Sequence, residues 1–174
     1  MDEIIEEGYA RLIESLKELA GVEEERAAEI KKQEGALLAR MAEETAPLVS
    51  RIGLSMLNRA RKDANGELYD PEFYPEKMIL LGKTEPLAYR PDDLNKAVDT
   101  QICVLSEDGS FYELMYSSTE IRTDSYKNPL DPATALDLYG YEIMFMLYRA
   151  MREYLQKERE LVDALGKTLE YLSS

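Results

Sequence analysis

A heptad repeat near the carboxyl terminus constrains the fold of this chain more than any other feature. Apolar residues recur every seventh residue at one helical position and again three residues later, and only Glu158 interrupts the pattern. This spacing places the apolar residues on one helical face and predicts a packing seam. The predicted seam consists of Tyr141, Met144, Tyr148, Met151, Leu155, Val162, Leu165, Leu169 and Leu172.

The helix that carries the seam is predicted to span residues 132–172. Asp131 can cap its start, and Pro132 is tolerated at the first helical position. At 1.5 Å per residue the helix is roughly 60 Å long, which exceeds the needs of a compact domain. Heptad spacing leaves two partners open for the seam: the chain's own amino-terminal helices, or a second copy. Glu158 is expected to face solvent or to contact an arginine.

Residues 1–63 are predicted to form amphipathic helical segments with breaks near residues 21 and 46. Gly21 is expected to interrupt the first segment, and Pro47, with Thr45 as a possible cap, indicates a kink or a new helix. The turn residues Asn65 and Gly66 follow the last segment. The first segment has apolar residues at alternating spacings of four and three: Ile5, Tyr9, Leu12, Leu16 and Leu19.

Residues 64–131 are predicted to be a β-rich middle region that prolines punctuate. The strand-like runs 100–105 and 110–116 flank a turn at 106–109, which is typical of a hairpin, and residues 78–81 form another apolar run. The predicted fold class is therefore α+β and mainly helical, in a single domain covering residues 1–174. In it, long helices with bundle or coiled-coil packing flank a small antiparallel sheet or hairpin.

Charge and cysteine content restrict the partners and the compartment. The net charge of -14 opposes direct binding to nucleic acid and to anionic membranes. The amino-terminal stretch lacks the basic and apolar regions of a secretory signal, so a cytoplasmic location is expected. The single cysteine, Cys103, lies in an apolar strand-like run and is expected to be a buried structural residue.

The sequence offers little for catalysis. It has no histidine, which removes the commonest general base and every histidine-containing metal site, and it has no glycine-rich phosphate loop or nucleophile elbow. We therefore expect no catalytic residue, no cofactor and no resident metal. The exception is a carboxylate pair, Glu160 and Asp163, whose spacing on a helix is compatible with a magnesium ligand set.

These patterns predict a non-enzymatic interaction or assembly protein that forms a homo-oligomer, in the simplest case a dimer, through the seam. Its tyrosine- and methionine-rich surface or its β-rich region is expected to contact another protein. One alternative is an acidic protein that binds and blocks a basic nucleic-acid-binding partner. The other is a helical magnesium-dependent phosphohydrolase.

Overall fold

The computed structural model describes residues 2–173 and shows a closed β-barrel with one long helix before it and two helices after it. Neighbouring strands are antiparallel and follow chain order, and the last strand pairs with the first through Ala60 and Thr123. The elements are α1 (Asp2–Ile52), β1 (Leu54–Lys62), β2 (Leu68–Thr84), β3 (Thr100–Ser106), β4 (Phe111–Ser118), β5 (Arg122–Leu130), α2 (Pro132–Tyr139) and α3 (Glu142–Ser173).

The predicted fold class is wrong in its β part. The chain is α+β, but its strands close into a five-stranded barrel instead of forming a small sheet or hairpin between bundle helices. The first strand lies inside the segment that was predicted to be helical up to residue 63. Met56 and Ala60 are both buried and lie four residues apart, which is a helical spacing. A β-strand also places residues four apart on one face, so this spacing did not distinguish β1 from a helix.

The predicted breaks in the amino-terminal helix are also wrong, because α1 runs without interruption through residues 21 and 46. Gly21 does not have a positive φ, and a glycine inside a helix lowers stability by only about 1 kcal/mol. Pro47 lies inside the helix, and two residues earlier the Thr45 hydroxyl donates a hydrogen bond of 2.7 Å to the Met41 carbonyl.

The predicted carboxy-terminal helix is divided in two. Its start is confirmed, because Asp131 caps α2 by accepting a hydrogen bond from the Thr134 N–H at 3.1 Å, and Pro132 is the first helical residue. Gly140 then ends α2 with a φ of 73° and donates its N–H to the Leu136 carbonyl. The seam therefore begins in the turn between α2 and α3.

The predicted hairpin is confirmed. Strands β3 and β4 pair from Thr100 opposite Tyr116 to Leu105 opposite Phe111. Gly109 turns the chain between them with a φ of 78°, a backbone conformation that favours glycine. The predicted run at 78–81 lies in β2, where Met78, Ile79 and Leu81 are buried and Leu80 is exposed.

Two apolar cores follow from the alternation of side chains along the strands. The barrel interior contains Met56, Met78, Val104 and Leu114. The outer face of β2, β3 and β4 packs against all three helices in a second core. This outer core consists of Leu38, Ala42, Val49, Ile79, Leu81, Cys103, Leu105, Phe111, Ala135, Ile143 and Leu147.

A buried ion-pair cluster anchors the loop formed by residues 85–99 to the barrel. The Arg90 side chain is 5% exposed and donates hydrogen bonds to both carboxylate oxygens of Asp92 and, at 2.7 Å, to Asp124 of β5. The hydrogen bonds from Arg90 lower the pKa of Asp92, and Lys96 pairs with the second oxygen of Asp124. A buried guanidinium requires this compensation, so the cluster has a structural role.

Candidate interaction surface

Helices α1 and α3 lie side by side and run in the same direction. Near the start of α3, Tyr141 forms a hydrogen bond with Glu34 that raises the pKa of the tyrosine. Further along both helices, Arg51 donates a hydrogen bond of 3.5 Å to the Tyr154 hydroxyl. Because the contacts advance together along the two helices, the helices are parallel.

This parallel alignment leaves a helical overhang at each end of the molecule. The α1 overhang, residues 3–33, is exposed except for half-buried Ile13, and the α3 overhang, residues 159–173, is exposed throughout. At 1.5 Å per residue they measure about 45 Å and about 22 Å. They project in opposite directions because α1 extends before the shared region and α3 extends after it.

Fifteen large apolar side chains on α1, α3 and the turn before α3 are between 39% and 73% exposed and form what we call the apolar stripe. This amount of exposed apolar surface is unusual for a chain that acts alone. On α1 the stripe comprises Ile5, Tyr9, Leu12, Leu16, Leu19, Ile30 and Leu37. At and beyond the start of α3 it comprises Tyr141, Phe145, Tyr148, Leu155, Val162, Leu165, Leu169 and Leu172.

An apolar groove joins the two halves of the stripe where α1 and α3 run together. It has a volume of about 440 Å³. Phe145 and Tyr148 on its rim are 65% and 61% exposed. The residues that line it are Glu34, Leu37, Met41, Tyr141, Met144, Phe145 and Tyr148. The groove gives the stripe a concave centre between two projecting helices.

Most of the predicted seam is exposed in the structure. Met144 and Met151 are half-buried and pack against the outer core. The other seven seam residues, from Tyr141 to Leu172, are exposed, so the chain's own helices leave most of the seam uncovered. Glu158 is half-buried and lines the same pocket as Arg51.

Sequence reasoning missed that the apolar face of α1 belongs to the same surface as the seam. The spacing of Ile5 to Leu19 identified that face, but the predicted break at Gly21 separated it from the rest of the helix. A signal for continuity was present, because Ile30 and Leu37 extend the same face beyond Gly21. Phe145 lies outside the heptad positions, so the repeat did not include it.

Cys103 is fully buried, as predicted from the sequence. Burial raises the pKa of its thiol to about 12. On the neighbouring strand, the carboxylate of buried Glu113 accepts hydrogen bonds of 2.6 Å from Gln101 and from the hydroxyl of Tyr139. This network ties α2 to β3 and β4.

The raised pKa of Cys103 predicts a loss of stability at alkaline pH. The folded state keeps the neutral thiol, whereas the thiol of the unfolded chain ionises near pH 9, so the free energy of unfolding falls as the pH rises above that value. Between pH 9 and pH 10 we expect Cys103 to contribute about 1 kcal/mol of this loss. Urea unfolding of the wild type and of Cys103→Ala at both pH values measures this contribution. If the free energy of unfolding falls by the same amount in both proteins between pH 9 and pH 10, the prediction is wrong.

The carboxylate pair considered as a metal site is exposed on the α3 overhang. There Glu160 accepts a hydrogen bond of 2.9 Å from Gln156. Within residues 2–173, no three carboxylate or cysteine side chains are grouped so that they could hold a metal ion. In the same range, no helix is both long enough and apolar enough to span a membrane.

Comparisons of the chain with protein-family models, with curated proteins and with solved structures find no match.

Proposed function

We propose that this chain is a non-enzymatic assembly protein whose copies associate through the apolar stripe. The observation that carries this proposal is the exposure of Leu155, Val162, Leu165 and Leu169 at heptad spacing on a helix that projects beyond the barrel. A projecting helix of this kind is stabilised mainly by covering its apolar face. In this role the barrel is a rigid base that holds the two helices parallel, and the cytoplasm is the expected location.

Area supports a self-association interface of ordinary size. A leucine-sized side chain offers about 100 Å² of apolar surface at about 25 cal/mol per Å². Fifteen side chains that are on average about 60% exposed therefore offer about 900 Å² per chain. A stable interface needs about 800 Å² on each partner.

The absolute mass in solution tests this proposal. Light scattering at two protein concentrations and two salt concentrations is expected to give a dimer or a larger species that persists at about 1 M salt, where charges are screened within about 3 Å. Apolar association is not weakened by salt. A monomer under all four conditions would contradict the proposal.

A second candidate is an acidic blocker of a basic partner. It is favoured by the α1 overhang, because residues 3–33 contain nine acidic and only five basic residues. Binding of this kind depends on charge complementarity and is lost as salt is added. A monomer that captures a basic protein at low salt and releases it at about 1 M salt would support this candidate.

A further inference from the structure

We propose that the second copy binds antiparallel, with a two-fold axis through the apolar groove, so that each α1 overhang lies alongside the α3 overhang of the partner. This inference rests on the self-association proposed above and adds an orientation and a second contact region. The predicted seam covered only the carboxy-terminal helix. The arrangement uses both overhangs and the groove between them.

The partner must be long, because no part of the stripe is sufficient by itself. The six stripe side chains on the α1 overhang offer about 360 Å² and the four on the α3 overhang about 250 Å², each well below the roughly 800 Å² of a stable interface. Both overhangs and the groove therefore have to be covered together. Arg51 on α1 and Tyr154 on α3 lie at the same level, because their side chains are hydrogen-bonded. The length from Ile5 to Arg51 along α1 and the length from Tyr154 to Leu172 along α3 add up to about 95 Å. A second copy carries an apolar surface of the same length.

The groove divides the stripe into two halves of similar length. From Leu37 to Ile5, α1 extends about 48 Å, and from Met144 to Leu172, α3 extends about 42 Å. A two-fold rotation about the groove exchanges the directions of the two halves. The α1 half of one chain and the α3 half of the other then overlap almost completely. Such an interface uses the same patch on both chains and closes at two copies.

The heptad positions of the two halves coincide in this arrangement. With Leu37 level with the partner's Met144, the α1 pattern is interrupted at Glu23, Arg26 and Gln33, and Glu23 is level with the interruption at the partner's Glu158. Arg26 follows Glu23 by one turn, and Arg159 is adjacent to Glu158, so cations flank both carboxylates. At the apolar positions, each residue of α1 lies opposite a residue of the partner's α3. The pairs are Tyr9 and Leu172, Leu12 and Leu169, Leu16 and Leu165, and Leu19 and Val162.

Charge favours the antiparallel orientation. The α1 overhang is acidic, whereas residues 149–173 of α3 contain five basic and five acidic residues. Parallel pairing would set the acidic overhang against its own copy, and like charges repel at this spacing. Antiparallel pairing places it beside the balanced helix, where Glu29 is level with the partner's Arg152 and Glu24 with the partner's Lys157.

Spin labels at two outward-facing lysines test the orientation. Cys103 is buried with a raised pKa, so it does not compete with cysteines introduced by Lys17→Cys or Lys167→Cys. Pulsed electron paramagnetic resonance on labelled Lys167→Cys is expected to give about 70 Å between copies, twice the distance from the groove. A mixture of chains labelled at Lys17→Cys and at Lys167→Cys is expected to give a second distance below about 20 Å.

The outcomes separate this inference from the proposed function. The long distance in Lys167→Cys together with the short distance in the mixture supports the antiparallel arrangement. A dimer with a short distance in Lys167→Cys, or with long distances in both samples, overturns the inference and leaves self-association standing. A monomer by light scattering overturns both.

Discussion

Replacing Val162 and Leu165 with lysine is expected to convert the assembly into monomers. Both side chains lie on the α3 overhang, where they are 64% and 54% exposed, so the substitutions remove no contact from either apolar core. In the assembly, each copy loses two apolar contacts and gains two ammonium groups at a surface that would be desolvated. At about 1–1.5 kcal/mol for each lost contact, association weakens by about 5 kcal/mol, or more than a thousand-fold.

The matched control introduces two lysines on the same overhang but off the stripe. Glu160→Lys with Asp163→Lys changes residues on the other faces of α3 and is expected to leave the mass by light scattering unchanged. Circular dichroism checks that both variants keep their helix content. If Val162→Lys with Leu165→Lys keeps the mass of the wild type, association does not use this part of the stripe and the proposed function is wrong.

The parts of the molecule that the sequence predicted well are governed by local patterns. The hairpin of β3 and β4 follows from two apolar runs around a turn with glycine at its end. The apolar face of helix α3 follows from a repeat that continues for more than four heptads. In both cases, residues close together in the chain determine the structure.

The parts that the sequence did not reveal depend on contacts between distant residues. Closure of the barrel requires β1 to pair with β5, more than sixty positions away, and no local pattern encodes that pairing. The parallel alignment of α1 and α3 depends on how both pack against the barrel. For this reason the sequence predicted the apolar face of each helix but not the continuous stripe that the two helices form.

Gly53 is the residue on which the transition from α1 to β1 depends, and Gly53→Ala is expected to lower stability by about 3 kcal/mol. Its N–H donates a hydrogen bond of 2.7 Å to the Val49 carbonyl. An added Cβ would lie 2.6 Å from that carbonyl oxygen and 2.9 Å from the Met78 nitrogen. Both contacts are with backbone atoms of fully buried residues, so relief requires the helix to move relative to β2.

Gly21→Ala is the control for this prediction, since it makes the same change inside α1, far from the transition to β1. An added Cβ at Gly21 meets nothing within 4 Å, and alanine is the better helix former by about 1 kcal/mol. For a chain of this length, 3 kcal/mol corresponds to a fall in Tm of about 6–12 °C. Thermal unfolding should show this fall for Gly53→Ala and no fall for Gly21→Ala. Equal Tm values for the two variants would mean that the backbone between α1 and β1 moves to accommodate the added Cβ. The barrel would then not hold α1 in a fixed direction.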